Sequence, residues 1–238
     1  MVRAWVIGIL ALVAMADSAD AGDAYYIFIF GSQTCRLQPK YTHTWAAVVH
    51  ATWDATAPSR YSLELHTNSW EPATLNVRVW APHPEPGVNL DLDATFRLVL
   101  SEGQRVAVWG PFQCSRQLYQ HSLIQLGRLE RHEVLYKAID FEAGKEVADC
   151  IHAISDIDPR FGRAQYPLVR VGHSAARYIA EQFVIRGVYD QNLVHAEWLI
   201  PALGLNRYPI EVHSPQELIA QMGGPDAIHR TPEVYPGQ

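Results

Sequence analysis

The segment GKEVADCIHAISDIDP, residues 144–159, sets a cysteine, Cys150, directly after an aspartate and at the opening of a short helical pattern. Ile151, Ile154 and Ile157 recur every three residues, Asp149 is in position to cap the first turn, and Asp158-Pro159 ends it. A cysteine at such an opening is a candidate nucleophile. The free backbone N–H groups and the positive end of the helix dipole favour a thiolate there, and the same N–H groups can hold an oxyanion. Asp149 opposes the thiolate unless its carboxylate is engaged in capping. The competing reading is an inert core thiol, because unpaired cysteine is among the most buried residue types.

A thiol nucleophile needs an imidazole brought close in space. Of the eleven histidines, His43 in YTHTWAAVV and His66 in LELHTNSW fall on strand patterns, which hold geometry better than loops do. If those strands pair side by side, His43 is the base and His66 the polar group that fixes its tautomer. Glu64 and Asn68 share a strand face with His66 and are substitutes for it. His152, two residues past Cys150, reads as a solvated surface position. The chain lacks H-E-x-x-H, G-x-S-x-G, a P-loop and a dinucleotide fingerprint, so no metal, serine nucleophile or nucleotide cofactor is expected.

The elements that must carry these residues are strands first and helices later. Residues 24–31 form a continuous apolar run, 43–53 alternate in part, and 61–70 and 74–82 alternate more clearly. Residues 94–100 and 104–110 read as a hairpin around Ser101-Glu102-Gly103. Helices are expected over 115–131, capped by Ser115, over 174–187, capped by Ser174, and over 192–204 until Pro201, with a strand over 133–140 between them. The sum is an α+β fold: a curled antiparallel sheet with helices packed on one side.

Bulk properties fit one exported domain. The chain has 238 residues, 48% hydrophobic and 18% charged, with a net charge of −6 and no basic run, which argues against nucleic acid as a partner. Arg3, the apolar run from Ala4 to Ala16 and the small residues to Ala21 read as a signal peptide over 1–21, too short for a comfortable membrane span. Its removal takes away one positive and two negative charges and leaves −5. The rest divides into a single domain over 22–222 and a mobile tail over 223–238. In an oxidising compartment the odd count of three cysteines leaves at least one unpaired within the chain. A Cys35–Cys114 bridge with Cys150 free is the economical arrangement, though sequence leaves the connectivity open.

The order YTHTWAAVV, LELHTNSW, ADCIHAI resembles the circularly permuted branch of the NlpC-like, papain-type cysteine hydrolases, which includes the YiiX-like and lecithin:retinol acyltransferase-like proteins. In that branch the His-bearing strand precedes the Cys-bearing helix. Over residues 24–160 the resemblance implies a papain-like fold with Cys150 as nucleophile, His43 as base and His66 as third polar residue. It implies a small peptide or lipid-like substrate, cleaved or transferred through a thioester. The alternative from another class is a secreted, non-catalytic binding or structural domain with Cys150 in a disulfide.

Overall fold

The computed structural model describes residues 22–54, 57–140, 144–158, 170–186 and 196–224. The expected signal peptide, the end of the helix expected at Gly187 and most of the expected tail lie outside the described residues. No described helix is long and apolar enough to cross a membrane.

The chain is mixed α+β. Strand β1 (Asp23–Gln33) is the apolar, aromatic run of the sequence and lies centrally in a five-stranded sheet. It pairs antiparallel on one side with β2 (Thr42–Asp54), which in turn pairs with β3 (Ala57–Asn68), and on the other side with β6 (Arg105–Cys114). β9 (Ile210–His213) closes the order β3-β2-β1-β6-β9 with a parallel edge strand. A second sheet, β4-β5-β7-β8, is built from β4 (Trp70–Pro72), β5 (Glu85–Asn89), β7 (Leu135–Tyr136) and β8 (Val147–Ala148). The expected strand over 133–140 is reduced to β7.

Helices cover both faces of the large sheet, not one. Alternation along the strands fixes this, since successive side chains point to opposite faces. Tyr26, Phe28 and Phe30 of β1 with Trp45, Ala47 and Val49 of β2 pack against α1 (Leu92–Ser101) and α5 (Leu199–Ala202). Ile27, Ile29, Ala46 and Val48 face the other way, toward α2 (Arg116–Glu130), α3 (Cys150–Ser155), α4 (Gly172–Ile185) and α6 (Pro215–Gln221). A strand buried on both faces loses the apolar–polar alternation that marks a one-sided sheet. β1 reads as that kind of strand.

Two expected strands are absent. Residues 94–100 belong to α1: the Asp91 carboxylate accepts from Ala94 N at 2.6 Å as N-cap, and Leu92, Phe96 and Val99 form the buried stripe. The short apolar window fits either period, and the cap just upstream decides it. Residues 74–82 alternate but have no strand to pair with. Leu75 adopts φ 53, which breaks an extended run. At the start of α4, the carbonyl of Ser32 and the backbone of Gly172 come so close that a Cβ on Gly172 would lie 2.6 Å from that oxygen. Gly172 also has φ +53, and a Cβ on Gly31 would lie 2.7 Å from the Gly172 carbonyl oxygen. Ser174 does not cap α4 as N-cap. It stands at the third helical position and its hydroxyl accepts from Val171 N at 3.2 Å.

Candidate functional site

Cys150 opens α3 as expected, and Asp149 is the N-cap, its carboxylate accepting from His152 N at 2.7 Å. Asn68 fixes this helix to β3, its amide donating to the Ala153 carbonyl at 2.9 Å. Cys150 lies in the lining of a cleft of about 360 Å³ whose walls are mostly apolar, with Leu37, Val77, Val79, Trp80 and Ile139 among them. The alternation read over 74–82 is therefore real, but Val77 and Val79 serve the cleft and not a sheet.

The thiol is not activated at rest. Burial pushes the Cys150 thiol well above its ordinary pKa, the carboxylates of Asp149, Glu71 and Asp140 push the same way, and the Thr44 backbone amide opposes them. This overturns the expected depression at the helix mouth. A six-residue helix contributes a weak dipole, and Asp149 remains close enough to repel a thiolate even while it caps.

His43 is buried on the other face of β2. It shares that face with Trp45, onto which its ring stacks at 5.3 Å between centroids. Cys150 packs with the opposite core. His43 Nε2 lies 2.8 Å from Ser69 Oγ, and Nδ1 lies 2.7 Å from a carboxylate oxygen of Glu71. That contact is within ion-pair distance but does not have hydrogen-bond geometry. The Thr95 hydroxyl of α1 lies 2.8 Å from Ser69 Oγ and completes the buried group. Neither imidazole nitrogen is turned to the sulfur.

The polar residue that lies beside the His43 imidazole on the neighbouring strand is Glu71 and not His66. The last β2–β3 pair is Ala46–Asn68, and continuing that register sets Glu71 across from His43. His66 pairs with Val48, five residues along β2, roughly 17 Å away at strand rise. It sits in a partly exposed group, 2.9 Å from Glu64, and Glu64 is no closer to His43 in register than His66 is. Sequence reasoning stopped at Asn68, three residues short. The register rule was the signal that would have found Glu71.

Sequence reasoning also missed Asp140 and misread His152. His152 is buried, with Nδ1 2.6 Å from Asp140 Oδ1, while Asp140 Oδ2 accepts from Asp149 N at 2.9 Å. Ligand atoms of Asp140, Asp149 and His152 lie within 4.8 Å of one another, so this trio could hold a cation. As it stands they bond to each other. Burial and the Asp140 charge raise the Asp149 carboxyl to about 7, with His152 and backbone N–H groups opposing.

The Cys35–Cys114 bridge is not formed, and all three cysteines are free thiols. Cys114 pairs with Tyr25 at one end of β1, whereas Cys35 follows Gln33 at the other. The strand from Tyr25 to Gln33 alone spans roughly 27 Å, far beyond the reach of a disulfide. Burial raises the Cys114 thiol to about 12. Comparison of the chain with protein-family models, with curated proteins and with solved structures found no match in any of the three.

Proposed function

We propose that this chain is an exported thiol-dependent hydrolase or acyltransferase with a papain-like, permuted NlpC-type arrangement. Cys150 would take the acyl group of an ester or amide whose apolar part occupies the cleft. The observation that carries this reading is the position of the sulfur: Cys150 lines an apolar cleft at a capped helix start, whereas Cys114 is sealed in the core. The order of His strand and Cys helix and the Thr44 amide support it.

In this reading His43 is the base and Glu71 its orienting partner. Because the resting thiol is neutral, reaction begins with proton removal. Glu71 bears on both groups, since it raises the Cys150 thiol and lies 2.7 Å from His43. Residues Thr42 to Trp45 have no β3 ladder partner, but Ser69 and Glu71 lie against His43 there, so the imidazole must leave both, with local movement of β2, to reach the sulfur on the opposite face. The thiolate then bonds to the carbonyl carbon, the alcohol or amine departs with the proton, and water or a second acceptor releases the thioester.

A non-catalytic binding domain using the same cleft is the second reading, favoured by the opposed faces of His43 and Cys150. A chromogenic ester of an apolar acid separates the two. The enzyme gives a burst of alcohol and an acyl adduct on Cys150, lost in Cys150→Ala and reduced about a hundredfold or more in a folded His43→Gln variant. If Cys150 is never acylated from neutral to alkaline pH while an apolar dye still binds the cleft, the binding domain is selected.

A further inference from the structure

We propose that the mouth of the cleft docks on an anionic lipid bilayer, with Trp80 and Leu37 as the inserting side chains. The proposal goes beyond the reaction above and stands whether or not Cys150 is catalytic. Seven large hydrophobic side chains are exposed among the described residues, and three of them converge here. Trp80 is 86% exposed and Leu37 55%, and both line the cleft. Leu75, 43% exposed, lines a small recess that shares Thr42 and Val77 with it. The remaining four lie on four separate elements, β3, α2, β7 and β9. Singly exposed apolar residues are ordinary, but a cluster rimmed by polar groups marks a binding surface.

Charge chooses the occupant. Arg36 and Lys40 are exposed and bracket Leu37 and Pro39 of the lining. Arg78 is exposed between Val77 and Val79, paired with Glu85 at 3.0 Å, and Arg170 precedes Val171 of the lining. Of the acids at this mouth, Glu102 of the neighbouring recess accepts from Gln104 at 2.7 Å, while Glu71 of that recess is buried and Asp149 of the cleft lining half-buried. In a chain of net charge −6, the most exposed tryptophan among the described residues is thus bordered by Arg36, Lys40 and Arg78. Tryptophan and leucine beside lysine and arginine is the composition of an interfacial anchor. The cores of protein interfaces are, by contrast, depleted in lysine. The apolar cleft opens at the same mouth, so a chain leaving the bilayer would enter it without crossing water.

The test is sedimentation of the full chain with phosphatidylcholine vesicles, with and without phosphatidylglycerol. Wild type and variants share residues 1–21, so the apolar stretch there contributes equally to each. The wild type is expected to bind the anionic vesicles with a blue shift of tryptophan emission, and added salt weakens binding. Arg36→Glu with Lys40→Glu reduces partition about tenfold or more. Trp80→Ser with Leu37→Ser removes the blue shift. Trp80→Phe keeps binding but loses quenching by brominated lipid. No partition, equal partition of wild type and variants, or self-association abolished by Trp80→Ser would overturn the proposal, the last by showing that a second copy covers the patch. The Arg36/Lys40 variant retains the burst with a water-soluble ester, so failure to dock and failure to catalyse are read separately.

Discussion

Two polar groups flank the same stretch of β2 and are built to opposite rules. On the α1 side, His43, Ser69, Glu71 and Thr95 are buried and contact one another in sequence, imidazole to carboxylate and hydroxyl to hydroxyl. On the α3 side, Asp140, Asp149 and Cys150 bring groups of one sign together beside a cleft, with His152 as the cationic candidate among them. The first group settles its polarity by partners. The second settles it by holding protons, which is why the Asp149 carboxyl and the Cys150 thiol are both raised. A side chain that is fully partnered holds geometry, while one that is held neutral by its surroundings is free to react once those surroundings change.

The largest expected effect tests the closed side. His43→Ala leaves the Glu71 carboxylate buried without its imidazole and opens space beside Trp45, costing roughly 3–5 kcal/mol of stability in urea unfolding. Cys150→Ala on the open side costs about 1 kcal/mol. Equal losses would erase the distinction between the two sides.

Next in size is a pH effect on the open side. Asp149 titrates at about 7 in the folded chain against a reference of 3.8, so the folded state keeps its proton longer. The corresponding stability is complete below the unfolded value and is lost as pH rises through the folded one. Between about pH 4 and 7 the loss amounts to a few kcal/mol at most. Asp149→Asn keeps a capping oxygen and should flatten that slope in thermal unfolding across the range.

A smaller effect links the sides. Glu71→Gln removes one of the charges that raise the Cys150 thiol, so native alkylation of Cys150 at fixed pH should speed up by about threefold to tenfold. No change would sever Glu71 from the sulfur and remove it from the reaction. The smallest effect belongs to His66. Its pairing with Glu64 is half-open, so His66→Ala should shift stability by within about 0.5 kcal/mol and leave Cys150 alkylation unaltered.

Much of the frame was legible because local signals and tertiary demands agreed. β1, β2, β3, β6, α2 with its Ser115 cap, and the Asp149-capped opening of α3 follow from apolar runs, alternation and capping residues. Residues 94–100 misled because seven residues do not separate a period of two from one of 3.6, and Asp91 lay outside the window. At the site, the cysteine and its cap were legible, but the partners of His43 were not. Which face of β2 carries the imidazole depends on what packs on each side, and Phe96 and Trp45 claim that face. The misplaced Cys35–Cys114 bridge has the same origin, since counting thiols says nothing about which end of a strand each occupies.

The contact of Gly31 with Gly172 has an engineering consequence. Where the first turn of α4 rests on β1, Gly31 lies against the Gly172 backbone and the Ala176 methyl, and Gly172 is also part of the cleft lining. That wall is thus seated by a missing methyl group, and a single added carbon at Gly31 would work as a shim, tilting the helix outward. The depth of the cleft can in this way be altered from behind, with no residue of the cleft lining replaced.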